Sequence, residues 1–565
     1  MSLNTLRSNS GLASCRLVVG IFCAVLAWLT VFDIRPPLED VHWDSPIWLH
    51  QGKAYAETHY ILDLQQCAKT FSTTRDLPGA AKVPICFPEF SRLGHVVILG
   101  ALSRLLDSGV DAVVAATWSY RFMLAVNLGA LAWLILNLQS VLNGGKDGKG
   151  GEGIGLGLAV STFLFAASTL FQYLGSSLVS DVPSMLLVTL ACLAFVRGLS
   201  LRSSWRVGLS GLLAFLAYVV RLESVIIYLL FLLALAVTLV AYRHRPVWWP
   251  GFVVAGVVAL ICYIGYLVYL FPLPSPFLYL ANAGQVQEQY QGTQYPYGFV
   301  FFMKAGGLLW IGVLLQAVLG RRCALSVLCM AWLALLVVPF VPWFFQQGPT
   351  QTRHYVFIVL PLMALSALGW SAFIRRTWLR PRLRPRMLSI LTATACLGII
   401  SHANAFSLTS HLPGMWRLSQ LLGLPAIEKV TFPLDEAVQV SRYIYRDGAP
   451  TLVLLARNIQ KEQDYVFLLA YLGPPYGPDT DAVKYKESGP FIGDLTDCSR
   501  LLPLPVAESA QYFSGELTAQ CAGTLRSAGV RVLRLSSATK PLDVQRQPGE
   551  LVVLNLRHFA LSQLP

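Results

Sequence analysis

Hydrophobic residues along this chain come in long unbroken blocks, not in the alternation of a half-buried strand or the narrow stripe of a surface helix. Apolar runs lie near 14–33, 117–142, 154–175, 182–200, 207–221, 223–242, 247–270, 299–319, 323–343, 355–374 and 387–404. A helix needs roughly 20 mostly apolar residues to cross a bilayer, so these eleven runs predict about eleven transmembrane helices, with 207–221 and 223–242 short and nearly continuous. The run 93–106 is only about two-thirds of a span. Arg92 and Arg104 flank it, and it is read as a helix lying in the interface.

Beyond residue 404 the blocks stop. Residues 435–448 read as a helix followed by a turn, 516–529 as a helix ending in glycine, and 451–458, 464–473, 530–537 and 550–556 as strands. The fold class expected is an all-α polytopic membrane domain over 1–404 with a soluble α/β domain over 405–565. No glycine-rich phosphate loop and no Gly-x-Ser-x-Gly elbow occurs in the tail, which reads as a scaffold or acceptor-docking module.

Charge orients the chain. The composition is 55% hydrophobic and only 13% charged, with a net charge of +13. Residues 405–565 carry 15 basic and 15 acidic groups, so the whole excess belongs to the apolar part. That distribution excludes a nucleic-acid-binding face and points to cytoplasmic loops. With the N-terminus inside, those loops hold Arg7 and Arg16, Lys146 and Lys149, Arg197, Arg202 and Arg206, Arg243 and Arg245, Arg321 and Arg322, and six arginines in 375–386. The outer connections 176–181 and 271–298 hold none. Counting 93–106 as a full span would place the six-arginine segment outside. The expected topology is therefore a multi-pass protein of the cell inner (plasma) membrane, with a large first outer loop (34–92) carrying interfacial helices and an extracytoplasmic C-terminal domain. Cys67 and Cys86 in the first loop, and Cys498 and Cys521 in the tail, fall on that outer side, one pair per segment, where disulfides persist. Four free thiols are the alternative.

The first outer loop carries the candidate chemistry. Glu39, Asp40 and Asp44 lie within six residues directly after the first span, and 45–59 can form a helix on the membrane with Asp44 or Ser45 as its N-cap. Carboxylates gathered beside a bilayer repel one another. A reaction that deprotonates an acceptor hydroxyl, or that holds a divalent cation near a phosphate, needs them; the bland alternative is a solvated loop. No His/Cys/Asp/Glu spacing is diagnostic of a metal, so a divalent ion stays open. The glycine-rich segment 144–157 lacks the Walker spacing and a preceding strand, and reads as a linker. The outer segment 271–298, rich in Gln, Tyr, Pro and Gly, reads as a sugar-facing gating loop or an ordinary connector.

With these pieces in order, the chain resembles the GT-C superfamily of polytopic glycosyltransferases, and within it the branch that includes protein O-mannosyltransferases and the lipid A aminoarabinose transferase. Residues 43–57 (WDSPIWLHQGKAYAE) are similar to the family's Asp-x-x-x-aromatic segment, and 85–102 to its Pro-containing lead into an interfacial helix. Residues 177–195 are similar to its Ser-Asp-x-Pro element, 211–225 to its Gly-rich span ending in Arg-x-Glu, and 352–369 to its Arg-Tyr-x-x-x-x-x-Pro span, with His354 inserted between Arg353 and Tyr355. The resemblance covers 14–404. One departure stands out: the family's acidic pair is usually Asp-Glu, whereas Asp44 is followed by Ser45 and Glu39-Asp40 lies four residues earlier.

The resemblance implies transfer of a sugar, hexosyl or pentosyl, from a polyprenyl-phosphate-linked donor to a hydroxyl of a protein, lipid or glycan acceptor at the outer membrane face. It implies Asp44 as base, with Asp40 second and Glu39 as a helper. Asp181 would meet sugar hydroxyls or the acceptor, or else serve as a helix N-cap before Val182-Pro183. Arg353 would clamp phosphate or snorkel, with His354 and Tyr355 beside it. Arg221 and Glu223 form a structural pair or touch substrate, and Glu89 faces the site or starts the interfacial helix. Two other classes compete: a transporter or flippase, and an assembly factor for a cell-envelope glycan.

Overall fold

The computed structural model describes residues 16–27, 29, 40–42, 45–58, 92–106, 109–142, 151–166, 168–242, 248–270, 298–320, 322–338, 341, 352–378, 389, 431–445, 451–455, 468–469, 471–473, 491–492, 510–514, 520, 523–524, 527, 531–537, 544–546 and 552–556. Each apolar run from 14–33 to 355–374 coincides with helix; the run 387–404 lies almost wholly outside the described residues. In chain order the elements are α1 (Arg16–Ala27), β1 (Asp40–His42), α2 (Ser45–Thr58), α3 (Leu93–Leu105), α4 (Val110–Leu142), α5 (Gly151–Ala166), α6 (Thr169–Ser176), α7 (Asp181–Leu201), α8 (Ser204–Val220) and α9 (Ser224–Ala241). They continue as α10 (Pro250–Leu270), α11 (Gly298–Gly306), α12 (Leu309–Leu319), α13 (Ala324–Val337), a 3-10 turn (Thr352–Ile358) and α14 (Val359–Trp378).

Two predicted spans are broken helices. In 154–175 the break lies at Ser168, whose hydroxyl caps α6 by accepting from the Phe171 N–H at 3.2 Å. In 299–319 it lies at Gly307, whose φ of 49° is a left-handed conformation that a side chain would strain. Among the described residues, five helices are long and apolar enough to cross a membrane by length and composition, and six further apolar helices are shorter. The outer face of α10 suits a lipid environment. Val253 and Val268 are 65% and 70% exposed, and Leu260 and Ile261 between them are exposed as well. A contiguous apolar face of that kind is costly in water.

Inside the bundle, helices meet through small residues and hydroxyls, as expected where lipid removes the hydrophobic drive between helices. Ser161 of α5 donates to Ser366 of α14 at 2.8 Å, and Ser184 of α7 bonds Ser224 of α9 at 2.6 Å. Ser210 of α8 donates to the Ala191 carbonyl of α7 at 2.8 Å and also bonds the Tyr228 hydroxyl of α9. The Ser184–Ser224 bond locks together the first turns of α7 and α9, the two helix starts at which Asp181 and Glu223 stand.

In the tail, β2 (Thr431–Pro433) leads into α15 (Leu434–Tyr445). The strands β3 (Thr451–Leu455), β4 (Phe491–Ile492), β5 (Ala510–Ser514), β6 (Arg531–Ser537), β7 (Val544–Arg546) and β8 (Val552–Leu556) form one sheet in the order β4-β5-β3-β6-β8-β7. All its pairings are parallel except β7 with β8. The segment 464–473, read from sequence as a strand, departs from that reading: its described residues Leu468, Leu469, Tyr471 and Leu472 are helical. A short apolar run bounded by turns fits a buried helix as well as a strand, and here Leu468, Leu469 and Tyr471 are fully buried in the same core as the bundle. A second sheet joins distant parts of the chain. β1 pairs antiparallel with β2, Asp40 opposite Pro433, Val41 opposite Phe432 and His42 opposite Thr431.

Candidate active site

A cluster of opposite charges stands at helix ends on the predicted outer side. α8 stops at Val220 and α9 starts at Ser224, leaving a three-residue turn. Arg221 enters it in extended conformation (φ −155°), its N–H still bonded to the Ala217 carbonyl. From there its guanidinium crosses to α7, where Nη1 donates to the Asp181 carboxylate, while Nε donates to Glu223 Oε2 at 3.3 Å. Its Cζ also stands 5.7 Å from the centre of the Phe357 ring in the 3-10 turn. Asp181 is 1% exposed and is the first residue of α7, where the positive end of the helix favours a carboxylate. It is therefore a buried ion-pair partner; Ser180 occupies the N-cap position, without a side-chain cap bond. Burial pushes the Glu223 carboxyl upward, but the Arg221 and Arg92 charges outweigh that, and the net direction is below its usual value. Glu223 is accordingly ionised near neutral pH.

A second set of groups closes the cluster from the first-loop side. α2 and α3 touch backbone to backbone at two glycines. A Cβ on Gly52 would lie 2.9 Å from the Leu99 Cβ, and one on Gly100 would lie 2.8 Å from the Gly52 carbonyl oxygen. That approach sets Trp48 of α2 edge-on to His95 of α3, ring centres 5.1 Å apart, with the Arg92 guanidinium 4.9 Å from the Trp48 ring centre. His95 is fully buried, and its Nδ1 shares a 2.6 Å hydrogen bond with the Tyr120 hydroxyl of α4. Burial first, and the Arg92 charge second, push His95 down to about 3 against an opposing pull from Asp181. The ring is neutral at physiological pH. Finally the Ser45 hydroxyl, at the start of α2, accepts the Leu178 N–H at 2.9 Å, fastening α2 to the connection that leads into Asp181. Sequence reasoning had Ser45 as a possible cap for its own helix.

Of the residues singled out from sequence, Asp181, Arg221 and Glu223 are brought together in one cluster. Tyr355, two residues before Phe357 on the 3-10 turn, is buried and edge-on to Phe302 at 5.8 Å. Arg353 and His354 lie on the same 3-10 turn as Phe357, without described side chains. Asp40 is placed by its backbone in β1. Glu39, Asp44, Glu89, Cys67, Cys86, Cys498 and Cys521 fall outside the described residues; the cysteines within them, Cys23, Cys192, Cys262, Cys323 and Cys329, are free thiols. Among the described residues no group of three or more His, Cys, Asp or Glu side chains is arranged to hold a metal ion. Sequence reasoning missed His95, Tyr120 and Arg92. A histidine inside the apolar run 93–106 was the available signal for the first.

The fold and site define a multi-pass helical membrane protein with a charged cluster at one set of helix ends. No protein-family model matches the chain, and no curated protein matches it. Among solved structures it is similar to ArnT from Cupriavidus metallidurans bound to undecaprenyl phosphate, at 16% identity and a TM-score of 0.43, over 91% of this chain and 89% of that one. It is likewise similar to the apo state of that ArnT, at 15% identity and a TM-score of 0.43, over 83% and 87%.

Proposed function

We propose that this protein is a membrane glycosyltransferase that moves a sugar from a polyprenyl-phosphate-linked donor to an acceptor hydroxyl at the outer membrane face. One observation carries the reading. The five segments on which the family resemblance rests, although up to about 300 residues apart, are linked through their own motif residues: Ser45 to Leu178, Trp48 to His95, Asp181 to Arg221 and Arg221 to Phe357. Five chance matches have no reason to converge.

In the proposed reaction the acceptor oxygen bonds the anomeric carbon as the bond from that carbon to the phosphate oxygen breaks. The acceptor proton passes to Asp44, with Asp40 as the second candidate and Glu39 assisting. The lipid phosphate leaves with the bonding electrons, met by Arg353 and His354. Glu223, held by Arg221, offers carboxylate oxygens to sugar hydroxyls; Asp181, buried, fixes the guanidinium that holds it, with Glu89 and Tyr355 at the margin. Lipid extracted with the purified protein should include a polyprenyl-phosphate sugar identifiable by mass spectrometry. Purified protein given such donors should release sugar to an acceptor, and failure with every donor and acceptor class would end the proposal.

We further propose that the tail from 405 is an extracytoplasmic α/β domain, with Cys67–Cys86 and Cys498–Cys521 as disulfides. An impermeant thiol reagent should label Cys498 in intact cells only after reduction; labelling that needs membrane rupture would reverse the orientation.

A further inference from the structure

Lys53 is an unusual residue to find where it lies. It sits on α2, in the segment of the first loop that follows the acids, yet its side chain is buried, with 1% of the residue exposed. Its ammonium donates to two backbone carbonyls of the tail, Tyr471 at 2.9 Å and Gly473 at 2.8 Å. The same tail segment reaches α3, where the Tyr471 hydroxyl lies 3.4 Å from Ser103 Oγ, and is tied to α15 by Ser441 donating to the Leu469 carbonyl at 3.1 Å. Burying an ammonium is costly unless its donors are satisfied, so a lysine here implies a fixed relation between α2 and the tail.

That relation has a lever arm. Lys53 and Ser45 are eight residues apart on one helix, about 12 Å at 1.5 Å per residue. Lys53 is fastened to the tail, and Ser45 is fastened to the connection that carries Asp181. On the other side of Asp44, β1 is fastened to β2, which opens the same tail unit. The elements flanking the Trp43–Asp44 step are thus anchored on both sides, and two of the three anchors belong to the tail.

We propose that Lys53 is a positioning residue for sugar transfer: by clamping α2 to the Tyr471 and Gly473 carbonyls it makes the tail a brace for the carboxylate-bearing step between β1 and α2. This rests on the glycosyltransferase reading and on Asp44 as base. Lys53 acts through α2 and does not meet the substrate.

The test uses the full chain. Lys53→Met removes the hydrogen bonds to the Tyr471 and Gly473 carbonyls and should lower kcat about 10- to 100-fold, the scale of an ångström-level misplacement, with the donor KM unchanged. Lys53→Arg, which keeps donors, should recover most of the loss. The decisive arm adds Val41→Cys and Phe432→Cys, opposite one another in the β1–β2 pair. Oxidised, that crosslink should restore kcat to Lys53→Met by replacing the brace. Full activity in Lys53→Met, or a loss that the crosslink fails to restore, overturns the proposal. Crosslink formation, followed by peptide mapping, needs no activity and should be slower in Lys53→Met. A wild-type protein inactive with every donor would sink the enzymatic reading alone, and equal crosslinking rates would sink the brace alone.

Discussion

Purified protein carrying Asp44→Asn together with Asp40→Asn should lose sugar transfer by about 100- to 10,000-fold, the contribution expected of a positioned general base, while it elutes as the folded species and still carries donor lipid. An amide keeps the size of a carboxylate and its ability to hydrogen-bond, but it cannot take the acceptor proton. The loss should therefore appear in kcat, with donor KM nearly unchanged. The single variants divide the roles. Asp40 lies on β1, where its backbone faces Pro433 of the tail, and its variant should cost less than the Asp44 variant if Asp44 is the base. The reverse order would exchange them. Full activity in the double variant would remove the catalytic proposal for this loop and favour a transporter or assembly factor.

How far sequence reasoning reached depended on the kind of signal. Apolar runs are set by the thickness of the bilayer, so they marked the helices at Asp181–Leu201 and Ser224–Ala241 almost to the residue, while Val110–Leu142 begins seven residues before its run at 117 because its first two turns lie ahead of the apolar block. The interfacial reading of 93–106 anticipated a separate helix, Leu93–Leu105. Charges inside or beside such runs are expensive, which drew notice to Arg221, Glu223 and Asp181. Which charge meets which depends on helix packing, and packing depends on contacts such as Ser184 with Ser224 that no linear pattern announces. Local alternatives were harder still. Asp181 before Val-Pro has the sequence signature of a helix cap, and only Arg221 arriving from α8 makes it an ion-pair partner. The segment 464–473 has no period long enough to separate strand from helix. Nothing in the sequence singled out Lys53, because the carbonyls it reaches lie more than 400 residues away and a carbonyl has no letter in the sequence.

Removing Arg221 should be the most destabilising single change in the cluster. Arg221→Met leaves Asp181, 1% exposed, without its guanidinium, and breaking one side of a buried ion pair typically costs about 3–5 kcal/mol. In detergent that should appear as a clear fall in Tm. Arg221→Met combined with Asp181→Leu removes both charges and should recover much of the Tm, because an apolar pair of similar volume is often tolerated where half an ion pair is not. Sugar transfer should stay lost in that double variant if Arg221 is what holds Glu223 to the substrate; recovered transfer would reduce the cluster to a structural pair. The pH dependence gives an independent check. Arg221 and Arg92 hold the Glu223 pKa below its usual value, so Glu223 contributes stability above that usual value and the contribution is lost as pH falls through the lowered one. Without Arg221, burial and the Asp181 charge act against Arg92 and a backbone hydrogen bond, and the Glu223 pKa should move up. Acid destabilisation by this group should then shrink or change sign. An Arg221→Met protein whose Tm falls with acid as steeply as the wild type would show that Arg221 is not what keeps Glu223 and Asp181 ionised.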